Sequence, residues 1–456
     1  MFDKVGVVNA NGGWCWFQDE RALVDPDRGL AVIGSVASPA GVDGGARDGD
    51  VEVTVVDLAS GELTGTRSVL HAGFEADDHD TVTLWHRADG RWVAVYSRHK
   101  TDELTFWRIS EPNDPTTWGP EQSYSWTPHF GAEFTGRAPG RGVTYQNVHP
   151  LGRRLYCFAR AINDDPCYLI SDDDGASWTF GGRLLTREKI GYVNGYARYT
   201  SGPFPKHGED RNGRIDRIDF VITEYHPRDY PTSIWHGYLE GDHLYRADGT
   251  AVGPLGRDIE DATPRAEDLT QVFANGTTLD GQVMTHCWTA DIRRDASGRI
   301  VALFTARADD TGGVDLPHRT EEPVPHALLR AELVPGSATW QVTKVGDAGP
   351  QLLAHETDYT GLGSIDPDDL DSLYFSTSVD PRDGTDLGVH EVFHGTTADG
   401  GATWTWTPVS EGSAGSNYRP IAIPGDPTRR VLTWYRGTME SSQRYATEVV
   451  LAVGAR

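Results

Sequence analysis

One pattern recurs along the chain: a Gly-Arg turn, an apolar strand that carries an aromatic, and a closing Arg. It reads Gly90-Arg91-Trp92-Val93-Ala94-Val95-Tyr96-Ser97-Arg98, then Gly152-Arg153-Arg154-Leu155-Tyr156-Cys157-Phe158-Ala159-Arg160. A third copy is Gly298-Arg299-Ile300-Val301-Ala302-Leu303-Phe304-Thr305-Ala306-Arg307. Asp27-Arg28-Gly29-Leu30-Ala31-Val32-Ile33-Gly34 is a weaker one. The glycines at 29, 90, 152 and 298 stand 61, 62 and 146 residues apart, the last interval being about two periods. A unit repeated at a fixed period stacks copies of one supersecondary motif. A period near 65 in 456 residues leaves room for about seven four-stranded units. The expected fold is therefore all-β: a single β-propeller of seven blades, spanning 1–456 as one domain.

Two turns support this. Ser171-Asp172-Asp173-Asp174-Gly175-Ala176-Ser177-Trp178 and Thr397-Ala398-Asp399-Gly400-Gly401-Ala402-Thr403-Trp404 fit the Asp-box pattern S-x-D-x-G-x-S/T-W, the second with Thr in the leading Ser position. The Asp accepts backbone N–H bonds inside the turn, and the Gly supplies a positive φ. Such turns mark propeller blades in enzymes and non-enzymes alike, so they speak for fold and not for function. Hydrophobic residues at 38% and aromatics at 10% suit many half-buried strands, and no Ser/Pro-rich linker breaks the chain.

The net charge of −26 disfavours nucleic acid and anionic membranes as partners. An anionic substrate then needs a local island of Arg and His. Only five of the 41 basic residues are lysine, which reads most simply as genome composition or salt adaptation. No run of about 18 apolar residues occurs. Met1-Phe2-Asp3-Lys4 does not begin a signal peptide, so either the protein stays inside the cell or a signal preceded this chain. Cys15, Cys157, Cys167 and Cys287 are too few for a disulfide scaffold; Cys157 and Cys167 either pair locally or stay free.

Hairpin register brings four polar residues together. A two-residue turn at Asp89-Gly90 places His79 opposite position 100, one step from His99. A turn at Gly152-Arg153 places Tyr145 opposite Arg160. Both pairs fall at the same end of their hairpins, and in a closed propeller those ends converge on one face. A bulge in either hairpin shifts the pairing. This set is what β-elimination next to a uronate requires. A guanidinium such as Arg160 stabilises the charge that develops on the carboxylate. A His or Tyr removes the C5 proton, and a second such group protonates the departing O4. No metal or other cofactor is needed for that chemistry. Each residue also has a plain structural reading: a strand-end His on the surface, a core Tyr, an Arg bridging blades.

The motifs that hold these residues are those of a known family. Trp14-Cys15-Trp16-Phe17-Gln18-Asp19-Glu20-Arg21 resembles the opening of the Asp-box (BNR-repeat) propellers that include ulvan lyases and rhamnose–glucuronate lyases, with related rhamnosidase-like glycosidases. So do Asp78-His79, Tyr96-Ser97-Arg98-His99, Tyr145-Gln146, Phe158-Ala159-Arg160, the segment from Tyr196 to Tyr199, and Ile218-Asp219-Phe220 through His226-Pro227-Arg228. The resemblance spans roughly residues 10 to 440 and is strongest before 250. It implies His79, His99 and Tyr145 as catalytic residues and Arg160 as a substrate-binding one. It further implies a second Tyr, Tyr199 (or Tyr196), and a second Arg, Arg217 in preference to Arg214. The chain departs from the family where it reads Asp19-Glu20-Arg21 for Asp-Pro-Arg and Asp78-His79-Asp80 for Asp-His-Asn.

The resemblance also implies a structural zinc, for which His226, His236, His286 and Cys287 are the candidates. Adjacent His286 and Cys287 point to opposite faces of a regular strand, which argues against it. Asp366-Pro367-Asp368-Asp369 is a candidate calcium loop or a solvated acidic turn. The expected activity is a polysaccharide lyase that cleaves a rhamnose–glucuronate or rhamnose–iduronate linkage and leaves a 4,5-unsaturated uronate. The expected partner is an acidic polysaccharide or oligosaccharide, and a monomer is expected. The alternatives are a rhamnosidase-like hydrolase on the same linkage and a non-catalytic carbohydrate-binding propeller. A sialidase is disfavoured, because Tyr418-Arg419-Pro420 is a poor substitute for the arginine motif of its first blade.

Overall fold

The computed structural model describes residues 2–130, 142–187, 195–201, 217–257, 263–309, 323–334, 338–353, 356 and 358–456. Their strands form seven antiparallel sheets arranged as a seven-bladed β-propeller. The first blade runs Ala22–Asp25, Leu30–Val36, Val51–Asp57 and Gly65–His71 from axis to rim. The innermost strands of the next blades are Thr83–His86, Thr144–Leu151, Ala197–Thr200, Gln282–Arg294, Gly363–Asp366 and Ser416–Ala422. Ala22, Thr83 and Thr144, which begin the innermost strands of the first three blades, stand 61 residues apart, close to the spacing of the turn glycines. Gly152 turns the third blade and Gly298 the fifth, so the interval between them spans two blades.

The ring is closed by the two ends of the chain. Lys4–Asn9 forms the outermost strand of the seventh blade and pairs with Arg444–Ala455. A closed ring leaves no long unpaired sheet edge between first and last blade.

Turn chemistry sets each blade. Arg87 and Arg91 close a three-residue loop with Gly90 at φ 78°. Arg294 pairs with Ile300, and Asp295 closes a similar loop onto Arg299. The two turns of the Asp pattern occupy equivalent places, between the third and fourth strands of the third and sixth blades. Asp173 accepts from the Ser177 N–H at 2.8 Å and the Ser177 hydroxyl at 2.6 Å. Asp399 does the same with Thr403 at 2.9 and 2.6 Å. Cys157 and Cys167 lie on neighbouring strands two residues out of register, and all four cysteines are free thiols.

The propeller axis is filled by the chain itself. Trp14, Cys15, Trp16, Phe17, Gln18, Asp19 and Arg21 are all buried, between the outermost strand of the seventh blade and the first strand of the first. This segment touches six blades. Gln18 donates to the His79 carbonyl, Arg21 to the Gln146 carbonyl, and Trp16 to the Thr360 carbonyl. Phe17 stacks on Trp288 with ring centroids 3.6 Å apart, and Trp14 meets Tyr435 edge-on. An extended segment on the axis has no strand beside it, so its carbonyls need other donors. Arginines supply them: Arg198 and Arg419 both donate to the Trp16 carbonyl, at 2.8 and 2.9 Å, and Arg419 also reaches that of Gln18. The acidic members are held the same way, Glu20 by Arg293 at 2.7 Å and Asp19 by the Tyr199 N–H and His149.

Candidate functional site

His79 sits on a short 3-10 turn, Asp78–Asp80, that leads into the innermost strand of the second blade. The turn forms because Asp77, at its N-cap, accepts the His79 N–H at 3.0 Å. His99 follows the partner strand, Trp92–Tyr96, at the same end. The observed register is Thr83 to Val95 through His86 to Trp92, one residue from the register of a two-residue turn. The cause is the extra residue in the Arg87–Arg91 loop. The two imidazoles end up stacked, 3.7 Å apart and 9° from parallel.

The third blade supplies the next pair. From Asn147 to Leu151 the register is the one expected of a Gly152-Arg153 turn. It then slips: Thr144, not Tyr145, stands opposite Arg160, and Tyr145 adopts φ 62° in the bulge. The bulge turns the phenol toward the axis, where its ring lies 5.2 Å from that of His79. The Arg160 guanidinium lies over the same phenol, 4.5 Å from the Tyr145 ring centroid and 5.6 Å from that of Tyr196. Tyr196 enters from the fourth blade, 5.6 Å from Tyr145, and its hydroxyl meets His226 Nε2 at 3.0 Å. His79, His99, Tyr145, Tyr196 and Arg160 thus follow one another round one face, near the axis.

Burial and charge give these groups different protonation states. Asp77 holds His79 Nδ1 at 2.6 Å through Oδ1 and His99 Nδ1 at 3.0 Å through Oδ2. Burial works against its charge, but the two imidazoles hold its carboxyl well below the usual range. Burial also opposes a charge on His79, yet Cys15, Asp77 and Asp78 outweigh it and raise His79 well above an ordinary imidazole. His99 goes the other way. Burial and the neighbouring His79 cation push it down to about 4, against the pull of Asp77. It still has 23% of its side chain exposed, against 4% for His79. Tyr145 is raised well above 10 by burial, with Arg160 opposing. At neutral pH the set is a His79 cation, a neutral His99, a protonated Tyr145 and a guanidinium. With its Nδ1 proton on Asp77, His99 keeps the lone pair of Nε2.

No family model matches the chain, and no curated protein does. Solved structures do. An ulvan lyase of polysaccharide lyase family PL25, bound to -[GlcA(1-4)Rha3S]-, superposes with a TM-score of 0.62 at 12% identity, over 98% of this chain and 95% of that one. A second structure of a PL25 ulvan lyase gives 0.61 at 12% identity over the same shares. The polysaccharide lyase Uly1 gives 0.51 at 12%, over 100% of this chain and 99% of that one. The chain shares the propeller fold of ulvan lyases. At this identity the fold is what is shared.

Beyond the central set, the predicted residues part company. Tyr199 lines a small cavity with Phe17, Tyr145, Arg160, Arg187 and Tyr196, its ring stacked on Phe158 at 4.2 Å. Arg217 does not come to this face. Thr200 pairs with Asp219 and Ala197 with Ile222, so Arg217 lies at the opposite end of the blade from Tyr196. There it grips Asp219 through two bonds of 2.9 Å and covers the Tyr238 ring. Arg214 lies outside the described residues.

The four zinc candidates are not gathered into one site. His226 is engaged by Tyr196 and the Arg228 N–H, His236 by Asp219 at 3.1 Å, and His286 by the Pro227 carbonyl at 2.6 Å. A bulge between Thr285 and Trp288, with His286 at φ 51°, interrupts the strand at His286 and Cys287, so the alternation of a regular strand does not hold there. In the Asp366–Asp369 turn, Asp366 is held by Arg456 at 2.8 Å and Asp368 by the same guanidinium. Among the described residues, the groups whose ligand atoms lie within 4.8 Å of one another are Cys15, Asp78 and His79, and Asp77, His79 and His99. Sequence reading missed Asp77, Cys15 and the central place of Tyr196. The available signal was three aspartates around one histidine, Asp77-Asp78-His79-Asp80.

Proposed function

We propose that the chain is a polysaccharide lyase that cleaves next to a uronate by β-elimination, acting on a rhamnose–uronate linkage. The observation that carries this is that the Tyr145 ring meets both the His79–His99 stack and the Arg160 guanidinium, each step within 5.2 Å. A proton acceptor, a proton donor and a carboxylate-binding cation then fit round one sugar residue. In this reading Arg160 binds the uronate carboxylate and takes up the charge that develops there as C5 is deprotonated. Neutral His99 takes the C5 proton. The C5–H electron pair forms the C4=C5 bond, the C4–O4 bond breaks, and protonated Tyr145 gives its proton to O4. Asp77 orients His99, and the His79 cation adds positive charge beside the forming dianion. A similar fold carries a -[GlcA(1-4)Rha3S]- oligosaccharide in the PL25 ulvan lyase, which is the reason for naming this linkage.

Hydrolysis is supported less well. It calls for two carboxylates flanking the bond, whereas Asp78 and Asp80 are 1% and 0% exposed behind His79. The deciding experiment incubates the protein with ulvan and other rhamnose–uronate glycans and follows ultraviolet absorbance. A double bond conjugated to the carboxylate absorbs there; a hydrolysis product does not. New reducing ends without new absorbance would overturn the lyase reading in favour of a hydrolase.

A further inference from the structure

The small cavity beside the central set is lined by charge of one sign. It lies between the third and fourth blades, where Arg160 ends the second strand of one and Tyr196 leads into the first strand of the other. Two guanidiniums, Arg160 and Arg187, line it together with Tyr145 and Tyr199. Among the described residues no carboxylate does, although the chain holds 67 Asp and Glu. Two cations on one enclosed space repel, and an anion between them relieves that cost. The cavity volume is about 20 Å³, room for one small group and too little for a sugar ring.

Arg187 is held in place by its own neighbours. Its backbone N–H donates to Asp165 Oδ1 at 3.1 Å, and its Nη1 donates to the Asp164 carbonyl. Asp165 makes only a long ion pair with the guanidinium, 3.9 Å. Gly195 leaves the guanidinium its room, since a Cβ there would stand 2.4 Å from Nε and 2.5 Å from Nη2. Arg187 is 7% exposed, and its Nε has no hydrogen-bond partner among the described residues. Burial lowers its pKa, Asp165 opposes, and the Arg160 charge adds to the lowering. A buried guanidinium donor without an acceptor is costly, and a carboxylate is the acceptor whose shape it fits.

We infer that Arg187 is a second carboxylate-binding residue: the uronate carboxylate enters this cavity between Arg160 and Arg187, and the sugar ring stays outside it, beside Tyr145. The inference rests on the uronate reading of the site and makes Arg187 the residue that sets its preference for an acidic sugar. The test titrates the full chain with methyl β-D-glucuronide and methyl β-D-glucoside, followed by NMR. The two probes differ only in the carboxylate and carry no second sugar at O4, so binding is read without elimination. Wild type prefers the glucuronide. Arg187→Gln weakens glucuronide binding by about 10- to 100-fold and leaves glucoside binding unchanged, and Arg187→Lys keeps part of the preference. An Arg187→Gln protein that keeps the wild-type preference overturns the inference. So does one that loses both sugars equally, since that is the mark of a structural role, or a wild type without preference. Ultraviolet absorbance on rhamnose–uronate glycans, measured on the same wild type, separates the two readings. New absorbance with an Arg187-independent preference removes this inference alone, and an Arg187-dependent preference without absorbance removes the lyase reading alone.

Discussion

The imidazoles of His79 and His99 lie face to face, 3.7 Å apart, and one carboxylate, Asp77, holds the Nδ1 of each. Two like groups this close do not both ionise readily. The buried one keeps the proton and the half-open one gives it up. Stacking thus turns a pair of identical side chains into a cation and a base.

The pH dependence of turnover follows. If His99 is the base, kcat/KM is sustained above about 4 and falls as the pH drops through it, because protonation removes the lone pair. An ordinary imidazole would place that fall near 6.5. His79→Gln removes the neighbouring cation but not the burial, so the acid limb should rise only part of the way. A wild-type limb at 6.5, unmoved by the substitution, would count against His99 as the base.

Arg160→Lys keeps the charge and loses the two-pronged contact. It should lower kcat by about 10²- to 10³-fold, with a smaller effect on KM, and Arg160→Ala should do worse. Near-normal elimination by the Ala variant would remove Arg160 from the chemistry. A carboxyl-reduced glycan should not be cleaved by any of the three proteins.

Tyr145→Phe keeps the ring that Arg160 covers and removes only the hydroxyl. Elimination should fall by about 10²- to 10⁴-fold. Its loss should shrink on substrates with a better leaving group at C4, which need no proton from the enzyme. Equal losses on good and poor leaving groups would mean that Tyr145 positions the sugar and does not act as the acid.

His390 tests the cost of a buried neutral imidazole away from the site. Burial alone pushes it down to about 4, and among the described residues its Nε2 has no hydrogen-bond partner. Its folded value lies below its unfolded one. The stability this represents is full above about 6.5 and is lost as the pH falls toward 4. Between pH 7 and 4.5 wild type should lose about 2–3 kcal/mol more than His390→Gln. Urea midpoints of both proteins at the two pH values measure the difference.

Trp16 is fully buried on the axis, against Tyr359, Tyr418 and Tyr435. Trp16→Ala should cost about 3–5 kcal/mol, read as a lower denaturant midpoint with an unchanged m-value. A change near zero would mean that the axial segment is not part of the cooperative core.

Much of this was legible in the sequence for a local reason. Turn residues and apolar runs set hairpins, and hairpins set which side chains share an end. That brought His79 near His99 and Tyr145 near Arg160 before any coordinates. The first register was one residue off because Asp89-Gly90 closes a three-residue loop, and the second slipped at the Tyr145 bulge. Both pairs survive because side chains reach further than one register step. What hairpin logic does not reach is contact across the axis. Asp77 reads as one more acid in an exposed turn, and its buried role depends on Gln443 and the seventh blade. The family resemblance points to Arg217, and strand register puts that residue at the opposite end of its blade from Tyr196. Trp14 to Arg21 has no alternation to read, because a segment packed on every side has no solvent face.

The closure of the ring has a consequence in time. Lys4–Asn9 completes its sheet only against Arg444–Ala455, the last strand of the chain. At the ribosome's pace of about 5–20 residues per second, the partner of the first strand emerges about 20 to 90 seconds after it. Throughout that interval the axial residues, Trp14, Trp16 and Phe17 among them, lack the full set of blades that later covers them. Three large aromatic residues of the core are thus among those that wait longest. Until Arg444–Ala455 is made, the axial segment is held by an open ring.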